Sequence, residues 1–205
     1  MRTRTAVIAG LATLALGGAG CGSSSPSSSS GSTAGSATTG VDPNGPEVSP
    51  AGDIPDNQAY VAYHPPGAAY SVKVPEGWSR TAGAGGLTSF TDKLNRIQMQ
   101  AVPAPAALTP AIARSTELPK LARSVAGFKA GSVSTVSRTA GRGVRLTYLA
   151  RSAPDPVTGN ARTDAVERYV FFHNGERVVL TLSGPQGADN VDPWKIVTDS
   201  LRYMR

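Results

Sequence analysis

The amino-acid sequence predicts an α+β domain whose sheet is largely antiparallel. Several stretches between residues 69 and 182 alternate between apolar and polar residues at the two-residue period of strands. Two of these stretches are separated only by Asn174-Gly175, a dipeptide typical of tight hairpins. Apolar residues at helical spacing occur in two segments of the domain, which lie apart from the strands. Runs of strands with helices set aside indicate the α+β class.

The first strands are separated by turn residues. Residues 69–74 place Tyr70, Val72 and Val74 on one side, and a turn follows at Pro75-Glu76-Gly77-Trp78. The glycine-rich stretch 83–86 predicts a flexible loop, and residues 103–110 interrupt the strand pattern with prolines. We therefore expect strands over 87–91 and 96–102 and, later, over 132–136 and 144–149, with a turn-rich loop at 154–160.

The clearest local signal is a hairpin of residues 165–173 and 176–182. A type I′ turn at Asn174-Gly175 fixes the register, which places Phe171 opposite Val178 and Val170 opposite Val179. Apolar pairs therefore occur on both faces of this hairpin. A sheet that is apolar on both faces needs a cover on each side, and the two predicted helices are the available covers.

Two helices are predicted. Leu118, Leu121, Ala122 and Val125 form an apolar stripe over 116–126, with Thr116 as N-cap, Pro119 in the first turn and Gly127 after the end. Near the C-terminus, Asp192 is the expected cap and Pro193 the first helical residue, and Trp194, Val197 and Leu201 continue the spacing. Residues 202–205 are interpreted as a short edge strand.

The first 21 residues are typical of an export signal. Arg2 and Arg4 precede an uncharged stretch, residues 5–16, which as a helix would span about 18 Å and is too short for a bilayer core. Small residues then lead to Cys21. The segment resembles a bacterial lipoprotein signal, with Gly18 where that family usually has Leu, and the resemblance implies a diacylglyceryl lipid on Cys21. The alternative is ordinary secretion with cleavage near Ala19, which leaves Cys21 as a free thiol.

The remaining chain divides into a linker and a domain. Residues 22–57 are rich in Ser, Gly and Pro and carry four acids and no base, so we expect a disordered tether. Residues 58–205 contain 18 Lys and Arg against 10 Asp and Glu, a net charge of +8, and are long enough for one core. The predicted arrangement is a globular domain held by lipid at the extracytoplasmic face of the cell membrane.

The residues that chemistry most often needs are scarce. With one Cys and two His, an intrachain disulfide and a zinc site of four Cys or His ligands are both excluded. His64 and His173 are not accompanied by a Gly-x-Ser-x-Gly motif, and no phosphate-binding loop occurs. We therefore expect no enzyme, cofactor or metal, and an uncharacterised hydrolase is the weakest of the functional alternatives.

Positive charge is concentrated in the middle of the domain. Between Arg114 and Arg151 there are eight bases and one acid, Glu117. Such a surface attracts anionic polymers or headgroups, whereas an exported protein meets little nucleic acid. The candidate contact residues are Arg114, Lys120, Arg123, Arg138, Arg142 and Arg145. The alternative is an ordinary solvated face whose charges are balanced elsewhere in the fold.

Two segments resemble a known family. The stretch Tyr70-Ser71-Val72-Lys73-Val74-Pro75-Glu76-Gly77-Trp78 resembles the opening of PsbP-like (Mog-type) domains. The hairpin of residues 169–182, followed by Asp192-Pro193-Trp194, is similar to the end of that family. The chain also resembles small actinobacterial lipoproteins that combine a Ser-rich tether with such a domain. The resemblance implies an α/β/α sandwich around an antiparallel sheet and a binding or accessory role without catalysis.

These observations predict a non-enzymatic envelope lipoprotein whose domain binds a partner protein or an envelope ligand. The alternative function is a carrier of a small apolar molecule, with a pocket beneath the helix near Trp78. A closed pocket lined by Trp78 would favour the carrier, and a solid core there would favour binding at the surface. The sequence names neither the ligand nor the oligomeric state.

Overall fold

A seven-stranded antiparallel sheet forms the centre of the structure, a computed structural model that describes residues 50–204. Its strands are β3 (Ser79–Ala82), β4 (Thr88–Asp92), β5 (Asn95–Pro103), β6 (Lys129–Arg138), β7 (Gly141–Arg151), β8 (Thr163–His173) and β9 (Glu176–Pro185). They pair in the order β3-β4-β5-β9-β8-β7-β6. The predictions for residues 1–21, including Cys21, and for residues 22–49 lie outside the described residues.

A second, three-stranded antiparallel sheet contains β1 (Tyr60–Tyr63), β2 (Tyr70–Pro75) and β10 (Arg202–Tyr203), with β2 in the middle. The short edge strand predicted at the C-terminus is thus confirmed, since Arg202 pairs with Ser71 and Tyr203 with Tyr70. None of the helices among residues 50–204 is both long and apolar enough to cross a membrane.

The β8–β9 hairpin has the predicted register. Phe171 lies opposite Val178, and Val170 lies opposite Val179. Asn174 and Gly175 have φ angles of 46° and 80°, the positive values that a type I′ turn requires at both positions. One side of the hairpin thus places Tyr169, Phe171 and Leu180 in the larger core cluster, and the other side places Val170 and Val179 in a smaller one.

Both faces of the seven-stranded sheet pack against other elements at the β8–β9 hairpin, as the hairpin predicts. On one face, the larger core cluster joins sheet residues to β2 and to helix α3 (Val191–Asp199), from which Trp194 and Val197 are buried. The small sheet therefore shares this side with α3. The prediction of Asp192 as the cap is wrong, because Asn190 is the N-cap of α3 and Asp192 lies inside its first turn, where a negative charge is favourable. Leu201 is buried beyond the end of the helix.

The helix on the other face begins earlier than predicted. It consists of α1 (Pro110–Ile112), a π-helical turn (Ala113–Glu117) and α2 (Leu118–Ser124), which together form the first helix. Its N-cap is Thr109, whose hydroxyl accepts from the Ile112 amide at 3.2 Å, and Pro110 follows at the first position. The prediction of Thr116 as N-cap is therefore wrong, because another threonine, seven residues earlier, is the cap and is followed directly by a proline.

The π turn explains how Pro119 lies inside this helix. In a regular α-helix a proline ring clashes with the carbonyl four residues earlier, here that of Ser115, and the proline supplies no amide hydrogen. The helix widens just before the proline, and the Leu118 amide donates to the carbonyl of Ala113, five residues back. The wider turn accommodates Pro119, so the helix continues through this residue.

Packing of the domain starts before residue 58. Ile54 is buried in the larger core cluster, and its amide donates to Asn190 Oδ1 at 2.8 Å. The Gly52 carbonyl accepts from the side-chain amides of Asn95 and Asn190 at 2.9 and 3.0 Å. The predicted linker therefore extends too far, because buried amide side chains hold residues 52–54 against the sheet.

Candidate functional site

A polar groove of about 450 Å³ lies on the sheet face that carries the first helix. The helix covers only part of this face, where Val144, Leu146 and Val179 form the smaller core cluster with Leu118 and Leu121. Farther along the same strands, the alternate side chains that point to this same face form the groove floor. The floor residues are Gln98, Tyr148, Ala150, Val166, Thr181 and Ser183.

Two loops form the walls of this groove. The turn at Lys93 and Leu94 lies on one side, and residues 151–156 lie on the other. Arg162 connects the two. Its side chain donates to the Leu94 carbonyl at 2.6 Å, its amide donates to Ser152 Oγ at 3.0 Å, and the Ser152 amide donates to the Arg162 carbonyl at 2.9 Å. The groove therefore has fixed sides, although loops form both of them.

The two acids of the groove are already engaged. Asp164 is buried and bonded to Arg162; burial raises the pKa of its carboxyl, while the Arg162 guanidinium opposes that effect. Asp155 Oδ1 accepts from the amides of Thr158 and Val157 at 2.8 and 2.9 Å, which lowers the pKa of the Asp155 carboxyl. Both carboxylates thus support the loop that forms the wall.

The bases of the groove are less fully paired. Lys93, Arg96 and Arg151 line it and are exposed, and no carboxylate of residues 50–204 lies within ion-pairing distance of them. Arg162 has its partner in Asp164. With the four bases set against Asp155 and Asp164, the lining carries a formal charge of +2.

Arg168 lies at the border between this groove and the first helix. Its Nη1 donates to Oγ1 of the floor residue Thr181 at 2.9 Å, and burial lowers the pKa of its guanidinium. A guanidinium has five N–H donors, and the bond to Thr181 is the only hydrogen bond that the Arg168 side chain makes within the described part of the chain. No carboxylate of that part forms an ion pair with Arg168.

A second cavity, of about 370 Å³, adjoins the groove. Arg151 and Arg162 line both spaces, but Leu149 and Arg151 of the second cavity alternate along β7 with Tyr148 and Ala150 of the groove, so the two spaces lie on opposite faces of the sheet at the end of this strand. Lys129 is a third base of the second cavity, and its lining contains no acid. The remaining lining residues are Gly127, Leu149, Ala161, Thr163 and Gln186.

The six bases predicted to contact an anionic surface do not share one face. Arg114, Lys120 and Arg123 lie on the first helix, and Arg142 is exposed beside the β6–β7 turn. Arg138 and Arg145 project from the opposite face of the sheet. Contact of these residues with an anionic surface therefore remains a prediction, and the fold does not collect them into a single patch.

Several of these bases have partners inside the domain. Arg138 Nε donates to Thr198 Oγ1 at 3.0 Å and lies 3.5 Å from Asp199 Oδ1, which joins β6 to α3. Arg145 is paired with Glu167. Lys120 is 3.5 Å from Glu117 on the helix, and Arg114 donates to the Val133 carbonyl at 2.7 Å.

Trp78, near which the carrier alternative places a pocket, is half-buried and packs against the larger core cluster. It lines neither the groove nor the second cavity. The structure thus gives no specific support for an apolar ligand at Trp78.

The histidines are separate in the structure. His64 Nδ1 lies 2.9 Å from the Tyr70 carbonyl, and His173 stacks on Tyr203 with ring centroids 4.1 Å apart. Among residues 50–204, no three His, Cys, Asp or Glu side chains are placed to hold a metal ion. The groove instead offers guanidinium, amide and hydroxyl groups, which can bind and orient a polar ligand.

The fold is therefore an antiparallel α+β sandwich with an open polar groove on one face. It is similar to the cyanobacterial PsbP (CyanoP) from Synechocystis sp. PCC 6803, with 16% identity and a TM-score of 0.49 over 71% of this chain and 93% of the other. It is also similar to the Saccharomyces cerevisiae Ran-binding protein Mog1p, with 12% identity and a TM-score of 0.45 over 71% and 96% of the two chains.

LpqN of Mycobacterium tuberculosis, described as involved in cell envelope biogenesis, shows 14% identity and a TM-score of 0.41 over 73% of this chain and 91% of the other. The fold is also similar to a protein from Bacteroides thetaiotaomicron, of which this chain spans 46% of the length. No protein-family model and no curated protein matches the sequence. PsbP and Mog1p bear the names of the family that the sequence resembles; these similarities assign neither a family nor a function.

We expect Arg162→Gln to loosen the groove wall and to destabilise the domain by about 1–3 kcal/mol. The substitution leaves the buried Asp164 carboxylate without its cation, so the pKa of Asp164 should rise further. Hydrogen exchange over residues 151–162 and an NMR titration of Asp164 would measure both effects. Arg142→Gln, at an exposed position outside the groove, is the control. Unchanged exchange in the Arg162 variant would show that Arg162 does not fix the wall.

Proposed function

We propose that this chain is a non-catalytic binding protein, anchored by lipid on Cys21 at the extracytoplasmic face of the cell membrane. Its domain would hold a partner protein or an envelope ligand in the polar groove. The observation that carries the binding role is the incomplete cover of one sheet face: the first helix packs on part of it, and the rest forms a walled groove with a polar floor.

The side chains of the groove support binding in particular. Gln98, Thr181 and Ser183 present hydrogen-bonding groups from adjacent strands, and strands hold such groups more rigidly than loops do. Arg162 fixes the wall. A ligand would therefore meet donors and acceptors whose positions are set before it binds, which lowers the entropic cost of association.

Site-specific photo-crosslinking in intact cells tests the binding role. A photoreactive residue at Ala153, an exposed position on the groove wall, should give a defined crosslinked product. The same residue at Thr139, exposed in the β6–β7 turn and outside the groove, is the matched control. Equal products at both positions, or products only at Thr139, would contradict binding in the groove.

The anchor is tested separately on the full chain. Mass spectrometry of the mature N-terminus should find Cys21 carrying lipid, and Cys21→Ser should move the protein from the membrane fraction to the soluble fraction. An unmodified Cys21 in membrane-associated protein would refute lipid anchoring without bearing on the groove.

A further inference from the structure

We propose that the outer edge of β6, over residues 133–137, binds an extended segment of a partner protein in which acidic residues alternate with apolar ones. The segment would pair with β6 and add a strand to the seven-stranded sheet. No residue of β6 lines the polar groove, so this surface goes beyond the proposed function and does not depend on it.

Among the described strands, β6 is the longest of those at the edge of a sheet. It has ten residues, whereas β3, at the other edge of the same sheet, has four. Its register with β7 shifts once, between Ala130 and Val133, and is regular from Val133 to Arg138. A regular edge of this kind is a template for pairing with another strand.

Backbone groups of alternate β6 residues point away from β7. Arg138 and Gly141 flank a two-residue turn, and residues in that position exchange both hydrogen bonds across the hairpin. By alternation Ser134 and Val136 also bond to β7, and the residues between them point outward. The outward residues are Val133, Thr135 and Ser137.

Two arginine side chains mark the ends of this open edge. The Val133 carbonyl accepts from Arg114 Nη2 at 2.7 Å, and the Ser137 carbonyl accepts from Arg138 Nη1 at 3.1 Å. Between them, no side chain or loop of residues 50–204 bonds to the outward amide or carbonyl of Thr135. An added strand could therefore exchange both bonds with Thr135.

The charges on the helix-bearing face favour a partner with acidic residues. Arg114 of the first helix lies at one end of the edge, and Arg142, which pairs with Ser137 in the register, lies at the other. Both are exposed, and neither forms an ion pair within residues 50–204. Val133 and Ser137 are about 13 Å apart along the strand, so acidic residues at alternate positions of an added strand would lie beside both cations.

The opposite face of the same edge favours apolar residues. Val136 is half-buried there and packs against the larger core cluster. Arg138 is directed to α3, where it bonds to Thr198 and lies beside Asp199. The remaining side chains of the added strand would thus meet Val136, and an apolar residue would cover its exposed part. The two faces together require alternating acidic and apolar residues.

The same charges disfavour the pairing of two copies of this chain through β6. Antiparallel pairing centred on Thr135 would place Val133 opposite the second copy's Ser137, and hence Arg114 close to Arg142. Like charges at neighbouring positions destabilise such a pair, and residues 129–142 contain no acid to compensate them. The occupant is therefore an acidic segment of another protein.

The test is an NMR titration of the full chain with an octapeptide of alternating Glu and Val. At saturation the amides of Thr135 and Ser137 should exchange with solvent at least about tenfold more slowly, because they donate to the added strand. An octapeptide of alternating Lys and Val has the same length and apolar content, and should bind at least about tenfold more weakly.

Two substitutions at Thr135 separate the backbone from the side chain. Thr135→Pro removes an outward amide and leaves the bonds to β7, which belong to Ser134 and Val136, in place. It should weaken binding of the Glu-Val peptide at least about tenfold. Thr135→Val keeps the amide and should change the affinity by less than about threefold.

A double variant tests the cations. Arg114→Gln with Arg142→Gln should weaken binding about 3- to 10-fold. Lys73→Gln with Arg123→Gln removes the same charge from exposed positions away from the edge and should change the affinity by less than about twofold. Thermal unfolding shows whether each variant folds; if Thr135→Pro does not, the exchange of the Thr135 amide and the charge variants still decide.

Several results would overturn the proposal. These are no binding of the Glu-Val peptide, equal binding of the Lys-Val peptide, and binding that leaves the exchange of Thr135 and Ser137 unchanged. Because Thr139 lies close to this edge, the crosslinking at Ala153 and Thr139 is repeated in the Thr135→Pro background, where the edge is blocked. A product at Ala153 that persists there supports the groove whatever the result at the edge.

Discussion

Asn190→Ala should lower the free energy of unfolding by about 3–4 kcal/mol, because this one amide holds three elements together. Asn190 is buried, and its Oδ1 accepts from the Ile54 amide at 2.8 Å. Its Nδ2 donates to the Gly52 carbonyl at 3.0 Å and to Asn95 Oδ1 at 3.1 Å. Truncation removes these bonds and leaves buried polar groups without a partner, which costs more than the bonds themselves contribute.

The space around these amides is as important as their bonds. A Cβ atom at Gly184 would lie 2.4 Å from Asn95 Oδ1 and 3.0 Å from Asn190 Nδ2. Only glycine therefore lets β9 approach the amide pair. In Asn190→Ala, we expect residues 50–57 to separate from the sheet before the rest of the domain unfolds, since Ile54 loses its amide partner.

Chemical denaturation and hydrogen exchange measure this effect. Asp192→Ala is the control, because Asp192 is exposed in the same stretch of chain. Asn190→Asp keeps an acceptor for the Ile54 amide but loses the donor, so its cost should be large as well. A cost for Asn190→Ala no greater than that of the control would mean that these bonds contribute nothing net to stability.

Alkaline pH should destabilise the domain steeply, through its buried tyrosines. Burial, as the first cause in each case, raises the pKa of Tyr70, Tyr169 and Tyr203 from 10.0 to about 12. For Tyr169 the bond that its hydroxyl donates to Glu167 Oε2 at 2.5 Å adds to the effect. Ionising either fully buried phenol, Tyr70 or Tyr169, thus costs roughly 2–3 kcal/mol more in the folded than in the unfolded state.

The sign follows from proton binding. Below pH 10 both states keep these protons, so the stability is fully present; between pH 10 and about 12 the unfolded chain ionises first, and stability is lost. Tyr70 and Tyr169 together should remove roughly 5 kcal/mol over this interval. Unfolding midpoints measured from pH 8 to 12 would show the loss, and a flat profile above pH 10 would contradict it.

Two phenylalanine variants separate the contributions of the tyrosines. The Tyr70 hydroxyl is buried without a hydrogen-bond partner among residues 50–204, so Tyr70→Phe should keep or raise stability at pH 7, by up to about 1 kcal/mol. Tyr169→Phe should lower it by about 1–3 kcal/mol, because the bond to Glu167 is lost. Each variant should also lose less stability above pH 10 than the unmodified protein, because it lacks one of the two phenols that ionise. Loss of stability in Tyr70→Phe at pH 7 would refute the assignment of an unpaired hydroxyl.

The parts of the fold that local chemistry determines are predictable from the sequence. Asn174-Gly175 is enough to fix a turn, and the turn fixes the register of β8 and β9. The alternation at Tyr70, Val72 and Val74 is enough to place β2. In both cases the residues that determine the structure are close together in the chain.

The elements that were missed depend on distant contacts. All four residues of β3 are exposed and β1 is only partly buried, so neither shows a clear two-residue apolar pattern. Ile54 is a single apolar residue among prolines and aspartates, and Asn190, which accepts from its amide, is far away in the sequence. The start of the first helix was missed because Pro119 suggested a boundary, which the π turn makes unnecessary.

The candidate site was even less accessible to sequence reasoning. A density of bases between residues 114 and 151 is visible in the sequence, but the fold sends Arg138 and Arg145 to one face and the helix bases to the other. The groove instead combines Arg96 of β5, Arg151 of β7 and Arg162 before β8. No spacing along the chain could have shown that these residues meet, because the pairing of the strands brings them together.

The position of Gly52 has a mechanical consequence. Its carbonyl is bonded to the side chain of Asn95, and Asn95 also lines the groove. A pulling force that enters the domain from the preceding chain would load this contact, and through it the β4–β5 turn that forms one wall. Tension on the chain and occupancy of the groove would thus act on the same turn, so that each would change the response to the other.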